Sequence, residues 1–198
     1  MKKLLFTAAI AVLGFTSANA QDDTNNTTGG FAQGDIFLSG TVGFGNETTG
    51  DVKSNVFTIA PKAGYFISDN IAVGVKLGYT SWKGDNDGTD TMDANEFAGG
   101  AFGRYYISPA SQFSLFAELG VDYTSTDDKL NDIKSDGISA GFAPGISYFV
   151  SDKFAIEASF GILGYSTEKA DFDGAESTDN FNFGLNFSNI NFGIVYNL

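Results

Sequence analysis

The feature that most constrains this chain is a period of two. From Gly34 onward, large apolar residues recur at every second position, never at helical spacing. Eight candidate strands follow. They are Asp35–Gly45, Val56–Ile67, Ile71–Ser81, Glu96–Ile107, Phe113–Ser125, Ile138–Val150, Phe154–Gly164 and a last run ending at Leu198. Ile36, Leu38, Val42 and Phe44 share one face of the first, and Ile71, Val73, Val75, Leu77 and Tyr79 one face of the third. Each run has about the ten residues a tilted strand needs to cross a bilayer core.

The connections alternate in length. Ser68-Asp69-Asn70, Ser108–Gln112 and Ser151-Asp152-Lys153 are tight turns of turn-forming residues. Asn46–Asn55, Trp82–Asn95, Thr126–Gly137 and Ser166–Asn180 are predicted to be longer polar loops. Short turns at one end and long loops at the other predict an all-β fold, an eight-stranded antiparallel up-and-down transmembrane β-barrel. The last strand holds one irregularity. Phe181, Phe183, Leu185 and Phe187 are odd-numbered, whereas Ile190 to Leu198 alternate on even numbers. Either a bulge near Ser188-Asn189 reconciles them, or the earlier segment projects beyond the membrane as part of an extended hairpin.

The opposite strand faces are mostly Gly, Ala, Ser and Thr, with roughly one charge per strand. Such a face suits a narrow barrel interior and is a poor solvent surface. The large apolar face is therefore assigned to lipid. Lys62, Lys76, Arg104, Glu118 and Glu157 share the inward parity and are predicted to lie at similar heights in the lower lumen. Glu96 and Asp122 share it nearer the outer end. Side chains fill an interior of this size, so the charges read as an ion network plugging the barrel. A charged, pore-lining constriction is the other reading. Tyr65, Tyr105, Phe113, Tyr148, Phe154 and Tyr196 cluster at the turn side, and Phe44, Tyr79, Trp82, Phe97 and Tyr123 at the loop side, as two interfacial girdles.

The chain begins as an exported protein does. Lys2 and Lys3 precede the apolar run Leu4–Gly14, and Ala18-Asn19-Ala20 offers a cleavage site. Residues 1–20 are expected to be a signal peptide cut after Ala20, 21–33 a flexible periplasmic tail, and 34–198 the barrel domain, in the outer membrane. The apolar run is too short to span a bilayer as a helix.

Composition excludes several functions. The 198 residues include no cysteine and no histidine, so no disulfide, thiolate site or histidine base is available. Known membrane-barrel hydrolases and acyltransferases commonly depend on a histidine, and no enzyme activity is expected. A net charge of −13 argues against nucleic acid. Lys83–Asp90 and Asp171–Glu176 resemble fragments of calcium loops, but neither has the full EF-hand spacing. They read as solvated acidic loops open to extracellular partners or weakly held divalent cations, with no specific metal site and no cofactor.

Two segments repeat. Pro61–Val73 and Pro144–Ile156 each run Pro-x-x-x-Tyr-Phe-(Ile/Val)-Ser-Asp into a returning strand. With the Arg104-Tyr105-Tyr106 strand end and the terminal Phe192–Leu198, the chain resembles the small outer-membrane β-barrels of Gram-negative bacteria, of the OmpX and OmpA-transmembrane-domain type, often labelled porin-family. The resemblance covers nearly all of Gly34–Leu198. It implies that Phe192, Ile194, Tyr196 and Leu198 form a C-terminal signal read by the barrel-assembly machinery, with Leu198 where the family usually has Phe. It also implies the lipid bilayer as partner, a monomer, and a structural or surface-interaction role in envelope integrity, adhesion or shielding. A small porin-like diffusion channel is the alternative, and a soluble secreted lipid-binding barrel a third reading.

Overall fold

The computed structural model describes residues 29–172, 174–184 and 190–198. The expected signal peptide, most of the expected tail and the Ser188-Asn189 bulge lie outside them. The described elements are all strands: β1 (Ile36–Thr49), β2 (Val52–Phe66), β3 (Ile71–Asn86), β4 (Thr89–Ile107), β5 (Phe113–Asp128), β6 (Ile133–Phe149), β7 (Phe154–Phe160), β8 (Leu163–Ala170), β9 (Ser177–Phe183) and β10 (Ile190–Asn197). β7 and β8 occupy one barrel position, as do β9 and β10. β1 to β6 pair antiparallel in chain order, β6 pairs with both β7 and β8, β8 with β9, and β10 with β7 and β1, and the result is a closed eight-strand barrel. Closure suits lipid, where backbone N–H and C=O groups find no water.

The barrel is inside out relative to a soluble protein. Val75 is 62% exposed, Leu119 61% and Ile194 63%, whereas inward Arg104 is 4% exposed. The outward phase of each spanning strand is the one the alternation predicts. The third reading, a soluble barrel with apolar residues inside, has no place for this surface.

The outer connections differ from expectation. The ladders run through the expected loops to tight turns: Thr49 pairs with Val52, and Asn86 with Thr89. Asp87 and Gly88 both have positive φ (51° and 81°), as a two-residue type I′ hairpin needs. Beyond the membrane both faces of a strand are wet, so apolar alternation fades while pairing continues. Trp82, expected in the outer girdle, pairs with Val56 and takes the inward phase of β3, with Lys76 and Thr80.

The short turns realise the repeat bond for bond. Ser68 Oγ accepts from Ile71 N at 3.1 Å, and Ser151 Oγ accepts from Phe154 N at 3.2 Å. At that end the interior is aromatic rather than small. Phe37, Phe66, Phe102, Tyr106, Phe116 and Phe149 are buried there. Phe31 joins them, so the described residues Gly29–Gln33 of the expected tail are packed against the barrel.

Candidate functional site

The lumen is built upward from this aromatic floor. Arg104, the chain's only arginine, projects inward from β4 onto three rings. Its guanidinium carbon lies 4.3 Å from the Phe116 centroid, 5.4 Å from Phe102 and 5.7 Å from Phe37. Cation–ring attraction strengthens where water is scarce.

Two carboxylates complete its surroundings. Arg104 Nε donates to Glu118 Oε2 at 2.6 Å, and Nη1 donates to both Glu157 oxygens at 2.9 Å. Glu118 stands beside Arg104 in the β4–β5 register, whereas Glu157 comes from β7. The side chain therefore bridges two walls of the barrel. Lys62 from β2 adds a bond to Glu118 at 2.7 Å. Charge-assisted bonds of this kind are the strong ones.

Four of the five expected network residues, Lys62, Arg104, Glu118 and Glu157, thus meet. Lys76, the register partner of Lys62, pairs instead with Asp122 at 2.7 Å. Gly100 lies between their strands in register with both, and a Cβ there would strike Asp122. A Cβ on Gly120 would lie 2.5 Å from Lys76 Nζ. Small interior residues are the space through which this lysine reaches its partner.

Tyr106 is a member that the charge pattern alone does not reveal. Its hydroxyl accepts from Arg104 Nη1 at 2.9 Å and donates to Glu157 Oε1 at 3.3 Å. The signal is present as parity, because Tyr106 is two residues from Arg104 on the same inward face.

Above the ion pairs lies a cavity of about 430 Å³ lined by Ser39, Thr41, Lys76, Glu96, Asp122 and Ser159 among others. At the rim, Asp128 caps a turn. Its carboxylate accepts from Asn131 Nδ2 at 2.7 Å and Leu130 N at 3.0 Å. The bonds from Asn131 hold the carboxyl below its ordinary pKa. Among the described residues, no group of three or more acidic side chains is placed to hold a metal ion.

The C-terminal residues form the outer face of the closing strand. Phe192 and Ile194 point to lipid, Tyr196 packs on Phe154 with centroids 4.9 Å apart, and Leu198 is exposed.

One solved structure agrees with this architecture. The crystal structure of OprG from Pseudomonas aeruginosa is similar, with 14% identity, a TM-score of 0.54, and coverage of 85% of this chain and 98% of that one. At that identity the likeness speaks for the fold alone. Neisserial surface protein A matches at 17% identity and TM-score 0.49, covering 81% of this chain and 96% of its own. Outer membrane protein W of E. coli matches at 16% identity and TM-score 0.49, covering 84% of this chain and 99% of its own. No match was found among curated proteins. The family described as outer membrane protein beta-barrel domain matches residues 8–197, and the chain belongs to it.

Proposed function

We propose that this protein is a closed, non-enzymatic barrel serving the outer membrane as a structural element, with its acidic outer hairpins as a contact surface. The observation that carries the reading is Arg104, held between Glu118 and Glu157 from two sides of the barrel over a floor of aromatic rings. A side chain so engaged supports a lumen plugged by its ion pairs. In this reading the chain is exported by a cleaved N-terminal peptide. The assembly machinery then takes it up through the exposed apolar face of Phe192, Ile194, Tyr196 and Leu198.

A small diffusion channel is the second reading, and the charged cavity above the ion pairs favours it. Liposome swelling separates the two. Vesicles carrying the refolded chain should swell in an isotonic pentose solution no faster than protein-free vesicles. Swelling that scales with the amount of protein would replace the closed barrel with the channel.

A further inference from the structure

We propose that Gly29–Gln33 is a releasable cork on the short-turn mouth of the barrel, seated by Phe31 in a socket of rings and coupled through Tyr106 to Arg104. The socket is specific in shape. Phe31 is 2% exposed, and its ring centroid lies 5.5 Å from Phe37, 4.8 Å from Phe66, 5.4 Å from Tyr106 and 4.9 Å from Phe149. Phe66 and Phe149 are equivalent positions of the two repeated hairpins, so the repeat supplies two walls of the socket.

The two residues before Phe31 fit only because they lack side chains. A Cβ on Gly29 would lie 2.5 Å from Ser151 O, and one on Gly30 would lie 2.7 Å from Ala110 O. The segment therefore lies close against the turns on both sides of the mouth.

Its attachment differs in kind from the wall. Phe31 N donates to Pro109 O at 2.8 Å, Asn197 Nδ2 donates to Gly30 O at 3.2 Å, and Gln33 Nε2 donates to Ile67 O at 3.3 Å. No strand ladder includes these residues. A piece held by one ring and scattered bonds opens without disturbing the barrel ladders. When it leaves, Tyr106 loses one of the three rings packed against it, keeping Phe66 and Phe116, and the Tyr106 hydroxyl is the one bonded to Arg104 and Glu157.

This goes beyond the closed-lumen reading, and its test does not depend on conduction. The chain has no cysteine, so Ser147→Cys places a single thiol in it. Ser147 is fully buried, sits in register with Glu157, and its hydroxyl has no hydrogen-bond partner. In the refolded full chain, alkylation of this thiol by a water-soluble maleimide should be slow. Adding Phe31→Ala should speed it on the order of tenfold or more, as removal of a local closure does. Gly30→Val should do the same while leaving the ring intact. The heat-dependent gel shift confirms folding of each protein. Equal labelling rates in all three would overturn the cork. Coupling has its own readout, because a lone arginine gives one Nε–H signal in NMR. Phe31→Ala should shift or broaden that signal, and an unmoved signal would overturn the coupling.

Discussion

Arg104 Nε lies 2.6 Å from Glu118 Oε2, and the two residues are direct register partners on β4 and β5. The ion pair and the ladder therefore support each other. Glu157, reached by the other side of the guanidinium, ties this pair to the far wall.

Removing Arg104 leaves Glu157 without its cation and Glu118 with Lys62 alone, their side chains only 7% and 10% exposed. Arg104→Ala should destabilise the barrel by about 3–5 kcal/mol. Lys76 and Asp122 are wetter, at 18% and 22%. Lys76→Ala should cost about 1 kcal/mol or less. Urea titration of the gel shift in lipid vesicles measures both, and equal losses would refute the ranking.

Glycines on the two faces of the wall, inward Gly145 and outward Gly103, are predicted to be unequal. A Cβ on Gly145 would run into the Phe116 ring and lie 2.7 Å from Ala158 O, whereas one on Gly103 meets nothing within 4 Å. Gly145→Ala should lower stability by about 1–3 kcal/mol through overpacking. Gly103→Ala should be tolerated. The same urea titration checks the pair, and a harmless Gly145→Ala would show that the floor is looser than described.

These contrasts bear on what the sequence makes legible. Lipid demands large apolar side chains on one face only, so the outward phase of β2 to β7 is readable from parity. The floor is hidden by its surroundings. Phe66 sits within Tyr65-Phe66-Ile67 and Phe149 within Tyr148-Phe149-Val150, where an inward ring between two outward apolar residues erases the alternation. The Lys76–Asp122 pair is hidden because it depends on reach across Gly100, which height along the strand does not encode. Phe31 is a lone apolar residue in a polar stretch, and its only local sign is the Gly29-Gly30 pair before it.

The lipid-facing assignment is tested in the middle of β5. Leu119 is 61% exposed on the outer face. Leu119→Arg should destabilise the barrel in vesicles by about 2–4 kcal/mol, the cost of a charge near the bilayer midplane. Vesicle unfolding experiments measure it, and a neutral outcome would mean this face is not in hydrocarbon.

At the rim, pH acts on Asp128. Its pKa is lowered in the folded hairpin, chiefly by Asn131, so the unfolded chain binds the proton more readily. The contribution is complete above the ordinary aspartate pKa and is lost as pH falls through the lowered value. Asn131→Ala should raise the Asp128 pKa toward its ordinary value, as read from the carboxyl carbon shift during an NMR titration. An unchanged midpoint would show that the turn does not hold the carboxylate.

The central claim is that the Arg104 ion pairs and the Phe31-centred floor close the lumen in series. Single-channel recording in a planar bilayer tests it most directly, on the refolded chain and on the Arg104→Ala/Phe31→Ala double variant, each confirmed as folded by its gel shift. The account predicts a silent wild-type barrel and reproducible conductance steps in the double variant. Stable steps from the wild-type chain would contradict it.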